Sequence, residues 1–404
     1  NLLYEDLKTI SCRNGNERLR KVHLNVTMSN LFALNHTQPE MWVAYHRGKT
    51  KYKKDPRYNK LQISYLLTKV VEALEQKGYI EHYLGFYSVT KRVSRMRATH
   101  KLMTLLIDCK INEHMIARVP DSECIILKAD KGSKEVPYTD NNLTTEMRRN
   151  LCAYNTLLQQ TLIEIPECSA DTTASNNESR PRLGIHSINR HVRRVFNGDW
   201  VKGGRFWGGW WQGLSPEWRG RITINGSPVV ELDYAGFQVS VLYALNRIDY
   251  WKTDGSDPYE LTGKFENNHK VRDLLKLILT IAINTKDRES CRKAVQRKIN
   301  LKQEKYGWFK DAGGSLDEVI ADFANRHPTL PLFCQMGRHM QNIDSRIAEV
   351  IIDTLTDKRI PCLCIHDSFI VERKHEHLLH NLMITAYHSF LGLLVPDLAL
   401  TPPK

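Results

Sequence analysis

The chain has 404 residues, of which 41% are hydrophobic, 25% charged and 9% aromatic, a composition of folded globular domains that excludes a disordered or fibrous chain. Its 58 Lys and Arg against 45 Asp and Glu leave a net charge of +13, which favours a polyanionic partner because each neutralised phosphate releases condensed counterions. No apolar run approaches the ~20 residues of a membrane span, the N-terminus lacks signal-peptide character, and nine cysteines without Cys-x-x-Cys spacing argue for a reduced, cytoplasmic protein without a zinc site.

In chain order, the first readable unit lies in a polar, basic stretch up to about residue 125. Leu66, Leu67, Val70, Val71 and Leu74 recur at helical spacing between Ile63 and Lys77, and Gly78 stands where such a helix stops. Two short strand-like runs follow, Tyr79 to Phe86 and Ser94 to Ala98, around a basic tip. A helix followed by a hairpin with cationic residues resembles a winged helix-turn-helix, and Lys91, Arg92, Arg95 and Arg97 are its candidate nucleic-acid contacts. A solvated basic hairpin on a helical bundle is the plainer alternative.

Residues 130–142 and 169–182 are rich in turn formers and read as loops or linkers. Between them a helix over about 143–163 is expected, with Leu143, Met147, Leu151, Tyr154 and Leu158 on one face. Ile222 to Ile224, Asn225-Gly226 and Val229 to Asp233 read as strand, tight turn, strand, because Asn-Gly tolerates the positive φ of a type I′ turn. Asp233 then opens a helical pattern. Later, Ile343, Ile347, Val350, Ile351 and Leu355 form a helical stripe. Cys362 and Cys364 lie on a predicted strand as small packing residues, and that strand ends at His366-Asp367. The chain thus carries two aspartates at the ends of apolar strands, an arrangement suited to holding hard divalent cations at the edge of a dry sheet. Trp207, Trp210, Trp211 and Trp218 fit either base stacking or core packing.

These segments resemble, in order, the motifs of the family A DNA polymerases and the related single-subunit phage-type RNA polymerases. Asp233-Tyr-Ala-Gly-Phe-Gln resembles motif A, Arg272-Asp-Leu-Leu-Lys276 the fingers-helix motif B, and His366-Asp-Ser-Phe369 motif C. Gly204-Arg205 with Gln212 resembles the segment that touches the template-primer minor groove, and Asp257-Pro-Tyr259 lies where these enzymes carry a short acidic segment. The resemblance covers roughly residues 200–395.

It implies an α+β fold: a right-hand polymerase palm, an antiparallel sheet backed by helices, with helical fingers, preceded by the mostly helical winged-helix-like region. The implied division is 1–128 for that region, 129–182 for a helix flanked by linkers, and 183–404 for palm and fingers. The implied activity is template-directed nucleotidyl transfer onto a 3′-hydroxyl. Its partners are a template, a primer and nucleoside triphosphates, with no membrane. Two Mg²⁺ ions, for which Mn²⁺ can substitute, would be held by Asp233, Asp367 and the Tyr234 carbonyl. Lys276 would be catalytic at the triphosphate and Arg272 would bind it. His366 would orient the hairpin or primer terminus, since Mg²⁺ prefers oxygen ligands.

Two positions depart from the pattern. Gln238 stands where the DNA polymerases carry a Glu that excludes ribonucleotides, and Asn284 stands where a Tyr is usual. Gln238 keeps the gate's size and loses its charge; the His-Asp-Ser-Phe form leans toward the RNA enzymes, the compact Asp-Tyr-Ala-Gly-Phe-Gln turn has the length found in the DNA enzymes, and deoxynucleotides are modestly favoured. No proofreading domain fits before residue 200. A small DNA polymerase of the kind used by phages or mobile elements is therefore the leading expectation. A single-subunit RNA polymerase or primase, and a non-catalytic nucleic-acid-binding regulator, are the alternatives.

Overall fold

A computed structural model describes residues 17–37, 41–52, 55–85, 93–112, 115–116, 118–119, 122–132, 134–166, 190–261, 268–392 and, for the backbone, 398–401. Lys91 and Arg92 lie outside the described residues, as does the loop 169–182.

Two apolar clusters are distinct. The smaller is built from residues between Leu24 and Leu106. Helix α1 (Glu17–Thr37) and helix α2 (Leu66–Gln76) pack on a three-stranded antiparallel sheet of β1 (Val43–Tyr45), β2 (Ile80–Tyr83) and β3 (Ser94–Ala98), ordered β1-β3-β2, and helix α3 (His100–Asp108) follows with Leu102 and Leu106 in the same cluster. Alternation along β3 buries Ser94, Met96 and Ala98 and turns Arg95 and Arg97 outward. There the two guanidinium groups lie over the Trp42 ring, 5.2 and 5.0 Å from its centroid, a cation–π arrangement.

The larger cluster begins at Cys124 and runs to Tyr387. Strand β4 (Ile125–Lys128) pairs in parallel with β6 (Arg193–Asn197), which pairs antiparallel with β7 (Asp199–Trp207). Helix α4 (Asn142–Gln160) starts on a capping box at Asn141 and Thr144, which satisfies its first orphan N–H groups. Met147, Leu151, Tyr154 and Leu158 are buried as expected, whereas Leu143 in the first turn is 50% exposed.

A second sheet carries the two strand-end aspartates. Its order is β10 (Leu363–Ile365), β11 (Ser368–Glu372), β9 (Ser227–Tyr234), β8 (Thr223–Ile224), β5 (Ile163–Glu164), with β12 (Leu398–Thr401) also on β9. Every pairing in it is antiparallel. Asn225 and Gly226 turn β8 into β9 at φ 51° and 77°, as a type I′ turn requires. Helix α5 (Phe237–Leu245) follows β9, and helices α6 (His269–Ala282), α7 (Arg288–Leu301) and α8 (Leu316–Arg326) come next. Helix α9 (Gly337–Asp357) lies along β7, and helix α10 (Glu376–Leu391) packs on α9, β9 and β11. On α9, Ile347, Ile351 and Leu355 are buried, while Val350 is exposed.

Helix α9 approaches β7 closely because β7 carries Gly203-Gly204. A Cβ on Gly204, at φ +87°, would stand 2.6 Å from the Phe196 ring and 2.8 Å from Ser345 Oγ. Asn342 Nδ2 and Ser345 Oγ donate to the Gly203 carbonyl at 3.3 and 3.2 Å, which ties the helix to the strand.

Candidate active site

The site grows from the end of β9. Strand alternation turns Glu231 and Asp233 to one face, and the register sets Ser368, directly after Asp367, opposite Asp233. Asp367 closes the β10–β11 turn behind His366, which takes φ 59°. The two carboxylates are neighbours in low dielectric. Burial first, then Asp367 and Glu231, push Asp233 up to about 8. Burial also raises Asp367, against the pull of Arg205 and Lys276.

Glu231 is already committed. Arg219 grips it bidentately, Nε to Oε2 at 2.9 Å and Nη2 to Oε1 at 2.8 Å, and Ser368 Oγ donates to Oε1 at 2.5 Å. Asp233 and Asp367 meet only backbone N–H donors, of Tyr234 and of Asp367 itself, as hydrogen-bond influences on their titration at this edge. Among the described residues no group of three or more His, Cys, Asp or Glu side chains has metal-holding geometry. Two hard carboxylates at one sheet edge nevertheless form an oxygen donor set of the kind that divalent cations take.

Tyr234 sends its ring inward against Phe237 and Tyr387 and donates its hydroxyl to the Met383 carbonyl at 2.7 Å. Only its backbone can serve the site. Gly236 turns the chain after β9 at φ +59°, and a Cβ there would meet Pro258 at 2.8 Å. That contact brings Asp257-Pro258-Tyr259 beside the carboxylates.

Arg272 and Lys276, one turn apart on α6, both lie over the Tyr259 ring, 5.2 and 5.5 Å from its centroid. Arg272 donates from Nε to Asp257 Oδ2 at 2.5 Å. Burial and the neighbouring Arg272 hold the Lys276 ammonium below its usual value. Arg205, Gln238 and Asn284 line one small cleft with Phe237, Ile283 and Met340. Asn284 donates to the Thr280 carbonyl at 2.7 Å and packs on Gly337, where a Cβ would fall 2.0 Å from its Oδ1.

His366 stacks edge-on to Trp207, with 4.6 Å between centroids. Burial and Arg205 push it down to about 4, so the ring is neutral, and its buried Nδ1 has no hydrogen-bond partner among the described residues. The structure divides the tryptophans: Trp210 and Trp211 are core residues, whereas Trp207 is 43% exposed. Arg95 and Arg97 belong to the smaller cluster and take no part in this site.

One residue was not flagged by sequence. Asp344 on α9 is buried, and its Oδ2 accepts from Arg205 Nε at 2.5 Å. Burial pushes Asp344 up to about 7, with Arg205 opposing and Asp367 adding to the rise.

No protein-family model matches the sequence, and no curated protein matches it. Among solved structures, the chain is similar to the POL domain of Pol1 from M. smegmatis in complex with DNA primer-template and dNTP, at 12% identity and a TM-score of 0.29. The alignment covers 78% of this chain and 61% of that one. A likeness of this size establishes neither fold nor activity. The chain is a mixed α+β protein, and among its described residues no helix is long and apolar enough to cross a membrane.

Proposed function

We propose that the chain is a template-directed nucleotidyltransferase that extends a nucleic-acid 3′-hydroxyl by two-metal catalysis, as a small DNA polymerase without proofreading. The observation that carries this reading is the β9–β11 register, which places Asp233 beside the turn that bears Asp367. The antiparallel sheet would be the palm and α6 the fingers helix. Asp233, Asp367 and the Tyr234 carbonyl would hold two Mg²⁺ ions. Bound there, the ions supply activation of the primer hydroxyl and charge neutralisation on the leaving pyrophosphate.

The chain's own residues do the rest. Lys276, its ammonium already below its usual value, would neutralise or protonate the leaving phosphates. Arg272 keeps its terminal nitrogens for a phosphate fork. Gln238, in the cleft with Asn284, supports a steric preference for deoxynucleotides. His366, neutral and packed on Trp207, orients the turn. Arg205, in the same cleft, would meet the duplex end.

For the smaller cluster, the order β1-β3-β2 behind α2 supports the winged-helix reading, with Arg95 and Arg97 on its outer face. In this reading Lys91 and Arg92 belong to the wing, and the module recruits the enzyme to nucleic acid. Primer extension with Mg²⁺, run with dNTPs and with NTPs on DNA and RNA templates, tests the proposal. Incorporation that survives in both Asp233→Asn and Asp367→Asn would refute it, and primer-free synthesis from NTPs would move the assignment to an RNA polymerase or primase.

A further inference from the structure

We propose that Asp344 is a positioning residue that keeps the Arg205 guanidinium off Asp367 and so leaves the aspartate pair open to divalent cations. The inference rests on the metal-binding reading of Asp233 and Asp367 and extends it to a residue outside the polymerase-like motifs.

Trp207, two residues beyond Arg205 on β7, packs on His366 with 4.6 Å between centroids, which brings Arg205 to the turn that carries Asp367, and Arg205 is the leading positive influence on that carboxylate. Yet among the described residues its one side-chain hydrogen bond runs from Nε to Asp344 Oδ2. A guanidinium is drawn to any carboxylate that offers good geometry, and two buried acids without a resident cation are a strong competing attraction. An Arg205–Asp367 pair would satisfy both charges and occupy the oxygens that a hard cation needs.

Geometry prevents that collapse. Asn342 and Ser345, on either side of Asp344, both bond the Gly203 carbonyl, and Arg205 follows two residues later on the same strand. Gly204 lets helix and strand meet without a gap. Asp344 and Arg205 therefore sit on one tightly docked pair of elements, whereas Asp367 sits on the turn of another. Held by Asp344 through Nε, Arg205 lines the cleft beside Gln238 and Asn284.

The test uses the full chain and two readouts: the Mg²⁺ midpoint for thermal stabilisation and the Mg²⁺ half-saturation of primer extension. Asp344→Asn should raise both about tenfold or more, as loss of an outer-shell partner does in metal sites. Adding Arg205→Gln to Asp344→Asn should restore both to within about twofold of Arg205→Gln alone. An equal rise with and without Arg205 would show that Asp344 acts only through its own charge or packing, and would overturn the inference.

Should Asp344→Asn not fold, Arg205→Lys and Arg205→Gln decide the matter. Both lose the Nε bond, but only lysine can neutralise Asp367, so only Arg205→Lys should raise the midpoints. Equal midpoints in these two variants overturn the inference. If wild type responds to Mg²⁺ and extends primers while all variants stay level with it, the role of Asp344 alone falls. If wild type does neither, the polymerase reading falls with it.

Discussion

Replacing Asp233 by asparagine should make the metal-free protein more stable. In the unfolded chain an aspartate titrates near 3.8, whereas in the fold burial, Asp367 and Glu231 push Asp233 up to about 8. The sign follows from proton linkage. The folded state holds this proton more tightly than the unfolded state, so the group contributes no penalty below its unfolded value and a growing one as pH rises toward 8. At pH 7 that penalty has reached ~4 kcal/mol. Asp367 shares the repulsion, and we expect about 2 to 4 kcal/mol to be recovered in Asp233→Asn. The assay is thermal unfolding followed by tryptophan fluorescence at pH 7, first in chelator and then in a Mg²⁺ series. Wild type should unfold below the variant in chelator and climb with Mg²⁺ by mass action, while the variant stays nearly flat. A variant less stable than wild type in chelator, or one that climbs equally with Mg²⁺, would refute the reasoning.

Three further outcomes are expected. Lys276→Ala should lower incorporation on the order of 100-fold with template affinity unchanged, and an unaltered dependence on triphosphate concentration would remove α6 from the site. Gly204→Ala should cost ~2–5 kcal/mol, from the left-handed backbone and from the clash with Phe196 and Ser345, and should impair incorporation as β7 parts from α9; wild-type stability would contradict the close approach. In the smaller cluster, His23 is neutral, donating from Nδ1 to the Leu19 carbonyl at 2.6 Å and accepting from the Ser64 N–H at 2.9 Å. Burial holds it below its ordinary 6.5, so its contribution is complete above that value and is lost as pH falls beneath it. Wild type should therefore lose more stability than His23→Gln between pH 7 and pH 5, and parallel losses in differential scanning calorimetry would sink that account.

Much of the candidate site's layout was legible because its signals are local. Asn225-Gly226 can only be a tight turn between two apolar runs, and that turn sets Asp233 at the far end of its strand. Arg272 and Lys276 share a helical face by spacing alone, and both do reach Tyr259. Asp344 was hidden by the opposite circumstance. It sits beside the apolar stripe of α9, where a single amphipathic helix would turn it to solvent. Instead β7 covers that side too, and Asn342, Asp344 and Ser345 are all buried. Polar residues in mid-helix together with a distant Gly203-Gly204 pair were the available clue, and only three-dimensional contact joins them. The tryptophans were undecidable for a similar reason, since Trp211 is buried by donating to the Cys364 carbonyl at 3.1 Å, a partner far along the chain. The parallel pairing of β4 with β6 bridges a long segment and left no local trace.

Strand β9 has neighbours on both edges, β11 along one and β8 then β12 along the other. Insertions between helices α6 and α8 would leave that frame untouched, whereas losing a single residue from Val229 to Leu232 would force the ladder to slip and swap inside for outside. Length variation in this protein should accordingly be plentiful in the helical connections and absent from eight consecutive residues, Ser227 to Tyr234, where the chain tolerates altered side chains far better than an altered count.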